Sequence, residues 1–296
     1  MATTTPPCIT LTDNGSYRPA ATLSLRRLAA ELGERSEHVV NPVSLLHSTK
    51  IPAEKLEGQP AHVFESFALA KREEGVNSFL VVPLFFGPSA AIAEYLPQRA
   101  DVLREEHQWP ELEVRVCPSL VNCQKPEDKR MVSMLADLVR QKRAEIGVEH
   151  AAVALVDHGA PRIEVTQVRN FLADQLREVL GDEASVVTAC SMERREGEAY
   201  AFNEPLLEVL LGSEGFRHEV IVSMLFLQPG RHAGAGGDVA NICQDAEKVT
   251  PGLQTHMTEL VGTHPLLLDI LVERLEQGLL TDPVSWKAMQ AASATP

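Results

Sequence analysis

Two histidines and a glutamate are the residues of this 296-residue chain best suited to chemistry. His158 follows the apolar run AAVALVD, Glu193 follows the run ending at Ser191, and His232 sits in QPGRHAGAGGD after VIVSMLFL. Two neutral imidazoles and a carboxylate suit a divalent first-row metal ion and leave coordination positions open for exchange. His158 and His232 are 74 positions apart, so only a fold brings them together. Each residue alone also has a plainer reading, the histidines as turn or hydrogen-bonding residues and Glu193 as a solvated charge. Four of the ten basic residues after position 147 fall in the same segments: Arg162, Arg194, Arg195 and Arg231. They suit a substrate bearing several carboxylates, or they neutralise Glu193, Glu196 and Glu198 locally.

The elements that must carry these residues alternate. Ala151–Val156 reads as a strand buried on both faces, followed by the polar turn Asp157–Pro161. Val165, Val168, Phe171, Leu172, Leu176 and Val179 then recur at helical spacing up to Gly181. A strand at about 185–191, a helix at about 205–211, a strand at 219–227, a helix opening near Asp238, a fourth strand and a last helix at 265–277 complete this half. Strand–helix alternation of this kind means an α/β fold with a mostly parallel sheet flanked by helices. The first half repeats it: ITLTDNGS parallels VALVDHGA, and FLVVPLFF leads into GPSAAIAEYLP as VIVSMLFL leads into the glycine-rich loop. Asn14 to Phe85 is 71 positions and His158 to Phe226 is 68. The chain therefore reads as an internal duplication of two tandem Rossmann-like domains, 1–147 and 148–296. At the strand ends, where open sheets place their sites, the first half offers Asn14, His47 and the stretch 89–91 in place of His158, Glu193 and His232.

Composition narrows the function classes. The chain has 27 basic and 41 acidic residues, a net charge of −14, which argues against non-specific nucleic-acid binding. Residues 148–296 carry most of the excess, either attracting cations or forming a well-solvated face. The longest apolar runs are too short for a membrane span, and MATTTPPC has neither the basic nor the apolar region of a secretory signal. Five scattered cysteines with no C-x-x-C pair fit free thiols in the cytoplasm rather than a disulfide frame. G-x-G-x-x-G and the P-loop are absent, so no nucleotide is expected, and the glycines around His232 read as a loop that admits a large ligand. G-x-S-x-G is absent as well.

Three motifs, LVDHGAP, SMERRE with NEPLLEVLL, and VIVSMLFLQPGRH, resemble those of the class II, ATP-independent chelatases, more narrowly the CbiX-type sirohydrochlorin cobaltochelatases and ferrochelatases. The resemblance implies two tandem chelatase-like domains, the first degenerate, with metal held by His158, His232 and Glu193 in the second. It implies insertion of Co²⁺ or Fe²⁺ into sirohydrochlorin or a related tetrapyrrole, as in siroheme or cobalamin synthesis, without nucleotide. The macrocycle would lie in the cleft between the halves, its carboxylates toward Arg162, Arg194, Arg195 and Arg231, with His47 and Lys50 on the facing wall. Glu193 or a neutral histidine would take the pyrrole protons. Departures from the family pattern are Asp157, Ala160 and Ser223-Met224. The alternative is a metal or tetrapyrrole carrier using the same residues. Duplication makes the chain an internal pseudo-dimer, expected to be a monomer or weak homodimer.

Overall fold

The computed structural model describes residues 6–234 and 236–293. Its elements are β1 (Cys8–Asp13), α1 (Pro19–Ser36), β2 (Val40–Ser44), α2 (Phe64–Glu73), β3 (Ser78–Pro83), α3 (Leu96–Glu106), β4 (Glu113–Val116) and α4 (Arg130–Ile146). There follow β5 (Ala151–Asp157), α5 (Ile163–Leu180), β6 (Ala184–Ser191), α6 (Leu207–Leu210), β7 (Glu219–Met224), α7 (Asp238–Val249), β8 (Gln254–Met257), α8 (Leu266–Gly278) and α9 (Trp286–Ser293). The strands form two four-stranded parallel sheets with the same order, β2-β1-β3-β4 and β6-β5-β7-β8. All seven residues of β5 are buried, as expected of an inner strand covered on both faces. Leu25, Leu28, Ala29 and Leu32 turn one stripe of α1 inward, and Val168, Leu172, Leu176 and Leu180 do the same for α5.

The duplication recurs bond for bond beyond the strand ends. Leu45 N donates to Asp13 O and Leu46 N to Asn14 O; Met192 N donates to Asp157 O and Glu193 N to His158 O. Leu84 N to Thr12 O matches Leu225 N to Val156 O, and Leu120 N to Phe85 O matches Val261 N to Phe226 O. These bonds make Leu46 the counterpart of Glu193, with His47 one residue further on. The sequence placed His47 there, and the main-chain register shifts that pairing by one.

Two further expectations change. The helix predicted at about 205–211 is a single turn, α6, preceded by a short 3-10 helix at Glu198–Asn203 that takes up part of the connection. The compact units also depart from the predicted boundary at 147/148. One comprises residues 1–120 with 268–296, the other residues 121–267. The reason is an exchange of helices. α4 buries Met131, Val132, Met134, Leu135, Leu138 and Val139 and packs on α5 and β7 of the second sheet. The closing segment instead completes the first unit. Buried Arg274 on α8 donates to Ser119 O (2.9 Å) and Leu120 O (3.0 Å), and Val284 N donates to Val114 O (2.7 Å) at the free edge of β4. Gly278 lets α8 close on Cys117, since a Cβ there would lie 2.1 Å from the sulfur.

Candidate metal centre

In the second unit the carboxyl ends of β5, β6 and β7 bring the three predicted residues together. The His158 and His232 rings stand 4.5 Å apart between centroids, inclined at 61°. Glu193 Oε1 lies 3.2 Å from His158 Nε2. His158 is the shared member, half-exposed like Glu193 and open to solvent. Among the described residues, no group of three or more His, Cys, Asp or Glu side chains is gathered tightly enough to form a metal cage. The arrangement is thus two adjoining imidazoles with a carboxylate beside one of them.

Backbone and buried polar groups fix this arrangement. Gly159 has φ +91°, and a Cβ on it would lie 1.9 Å from Glu193 O, so the close approach of the two loops requires glycine. Gly15 repeats the device against Leu46 O. Below His158, the buried Asp157 carboxylate accepts from Ser191 Oγ (2.7 Å) and Gly159 N (3.0 Å), while the fully buried Arg169 guanidinium lies 3.5 Å away. Arg169 also donates to Ser191 Oγ and to Asn203 O (3.0 Å). Asn203 in turn accepts from Ala160 N (2.9 Å) and donates to Ala160 O (3.0 Å). Asp157 and Ala160, departures from the family pattern, are therefore joined to one buried network that holds the His158 turn. Burial pushes the Asp157 carboxyl up; Arg169, Ser191 and the Gly159 N–H pull it back. In the first unit Asp13 has Ser44 and the Gly15 N–H, but Leu25 occupies the place corresponding to Arg169, and burial raises the Asp13 carboxyl to about 6.

Asp238, at the start of α7, escaped the sequence reading. Its Oδ2 lies 2.7 Å from His232 Nδ1, an arrangement that orients an imidazole and leaves Nε2 as the outward donor. His158 Nδ1 similarly meets Gly159 O at 3.1 Å. An acid opening a helix six residues after a loop histidine was the available signal.

The arginines divide. Arg194 pairs with Glu204 (2.6 Å), Arg162 with Glu164 (3.1 Å) and Arg231 with Asp238 (3.4 Å). Arg195 stacks over Tyr200 at 5.7 Å. The local neutralisation considered from sequence is thus present for three of them, with carboxylates other than Glu193, Glu196 and Glu198. In the first unit His47, at φ +64°, stacks on Tyr17 (4.8 Å), and Lys50 lies 5.6 Å from the same ring. No helix among the described residues is long and apolar enough to cross a membrane.

Two parallel four-stranded sheets of this order, flanked by helices, define the fold of the class II chelatases. SirB from Bacillus subtilis, solved with Fe³⁺, superposes with a TM-score of 0.64 at 15% identity, covering 93% of this chain and 96% of that one. CbiX, the terminal enzyme for siroheme biosynthesis in denitrifying bacteria, superposes at 0.59 and 15% identity, covering 92% and 98%. Within that fold, residues 152–278 match the CbiX family model, the stretch that carries His158, Glu193 and His232. The chloroplastic sirohydrochlorin ferrochelatase of Arabidopsis thaliana is 30% identical over 128 residues, 43% of this chain. The match spans about half of that relative, 52% of its length. The chain thus has the chelatase fold, and its second half has the CbiX sequence pattern.

Proposed function

We propose that this protein is an ATP-independent chelatase that inserts a divalent metal ion, Fe²⁺ or Co²⁺, into sirohydrochlorin or a close relative at one site in the second unit. The observation that supports this best is the meeting of His158 and His232 at 4.5 Å, with Glu193 3.2 Å from His158, inside the CbiX-like stretch. The first unit offers Asn14 and Leu46 at the corresponding positions. Neither is a side chain that binds such an ion well, so one site per chain is the reading.

The metal is a substrate here, and an open, incomplete donor set suits one that must be released. Imidazoles held through Nδ1 present Nε2 as a weak, oriented pair of ligands. A rigid four-donor cage would hold the ion instead of passing it on. Insertion also expels two pyrrole protons, which requires a base within reach. Glu193, exposed and beside His158 Nε2, is suited to take a proton there and pass it to water. Arg195, with no carboxylate partner among the described residues, is the arginine best placed to meet a substrate carboxylate. Arg162, Arg194 and Arg231 could do so only by exchanging a present partner.

Anaerobic incubation with excess sirohydrochlorin and Fe²⁺ or Co²⁺, followed by macrocycle absorbance, tests the proposal. Multiple turnovers are expected in the parent, with His158→Ala reduced to the spontaneous rate. A spectral change that stops at one equivalent would instead make the protein a carrier, and unchanged turnover in His158→Ala would remove the site.

A further inference from the structure

The first unit has a cavity of its own, away from its strand ends. It has a volume of about 630 Å³ and lies along the edge strand β2, between α1, α2 and the loop at 59–62. That volume falls within the range of small-molecule sites, ~300–1,000 Å³. The pattern of charge around it is unusual for a chain of net charge −14. Arg26 on α1 donates to three main-chain carbonyls, Leu56 O (2.8 Å), Gln59 O (2.8 Å) and Pro60 O (3.1 Å). Those bonds immobilise the guanidinium, and no carboxylate among the described residues neutralises it. Lys71 on α2 pairs with Glu74 at 2.8 Å, so the wall carries two cations against one anion.

The rest of the lining mixes polar Thr22, Asn41, Ser44 and Gln59 with apolar and aromatic side chains. Phe67 meets the His62 ring edge-on at 5.8 Å and lies 5.9 Å from the Lys71 ammonium. The positive field is visible in His62, whose pKa is lowered by burial and then by Arg26 and Lys71. The duplication supplies a contrast. Asn170 stands where α1 has Arg26, and the ten-residue α2 has only the four-residue α6 as counterpart. Both charged walls therefore belong to the unit that lacks the metal donors.

We propose that this cavity is a binding site for a small aromatic monoanion, its ring against Phe67 and His62 and its charged end toward Arg26 and Lys71. The site lies in the first unit and is independent of the chelatase reading. A carboxylate or sulfonate would settle between an immobile guanidinium and the Lys71 ammonium, accepting charge-assisted hydrogen bonds from both.

The probe is 8-anilinonaphthalene-1-sulfonate, titrated into the full chain by fluorescence and calorimetry. Saturable one-to-one binding is expected. Lys71→Glu should weaken it about tenfold, the effect of reversing one nearby charge at moderate screening. Glu74→Gln, which frees Lys71, should tighten it, and Ala70→Trp should block it by filling the exposed wall of α2. His158→Ala should leave it unchanged. Absence of saturation, or affinities that ignore positions 70, 71 and 74, would overturn the proposal. Weakening by His158→Ala would overturn it too, by assigning the dye to the other unit.

Discussion

Asp13 tests whether the two copies of the fold solve the same buried-charge problem differently. Its carboxyl is buried, receives hydrogen bonds from Ser44 and the Gly15 N–H, and sits at about 6 against an ordinary 3.8. A folded-state value above the unfolded one means that the folded state binds the proton more tightly. Stability therefore falls as pH rises from about 4 through about 6, and the full deficit is present at pH 7. The shift of about two units corresponds to roughly 3 kcal/mol as an upper bound. Asp13→Asn keeps an oxygen for the Gly15 N–H and an amide for Ser44 while removing the ionisation. It should stabilise the first unit by about 2–3 kcal/mol at pH 7.5 and by little at pH 4. Urea unfolding followed by tryptophan fluorescence reads this unit selectively, because Trp109 and Trp286 both belong to it. A variant no more stable than the parent at pH 7.5, or a difference that does not change between pH 4 and 7.5, would refute the argument from burial.

Arg169→Leu installs in the second unit the residue that the first has at Leu25. It strips buried Asp157 of its counter-charge and should cost about 3–5 kcal/mol at pH 7, measured by circular dichroism in urea. Asp238→Asn keeps the shape but weakens the acceptor at His232 Nδ1, and divalent-metal affinity by calorimetry should fall about 10–100-fold with the melting temperature nearly unchanged. Gly159→Ala drives a Cβ toward Glu193 O at a backbone angle that costs about 1–3 kcal/mol. Loss of metal binding is expected there, and a variant that binds like the parent would contradict the role given to the loop contact.

Much of this was legible in the residues. The apolar runs of β1 and β5 announced inner parallel strands, and their polar ends announced where a site would lie. His158, Glu193 and His232 could be matched because each directly follows a strand or its loop, so the sheet converts sequence landmarks into neighbours. Arg169 was harder. It shares the buried stripe of α5 with Val168 and Leu172, yet a lone arginine in an apolar stripe looks like a boundary residue until Asp157 is seen beneath it. The arginines near the site lie within the motifs, but the partners of Arg194 and Arg195 depend on turns at 193–204 that periodicity does not encode. The exchange of α4 and α8 was invisible for a physical reason. An amphipathic helix specifies that it needs an apolar surface, and two sheets of the same design offer nearly equivalent ones.

That exchange has a consequence for the order of events at the ribosome. The strands of the first sheet are all made by Val116, but α8, which brings Arg274 to the carbonyls of Ser119 and Leu120, is made only after the entire second unit. At ~5–20 residues per second, the nascent first sheet waits for about ten seconds or more with one flank uncovered. The second unit, continuous from 121 to 267, can close during that interval. The unit that carries the histidine pair is thus the earlier to mature although it is encoded later, and a chain cut short before α8 would leave the first sheet exposed to aggregation and proteolysis while that pair was already in place.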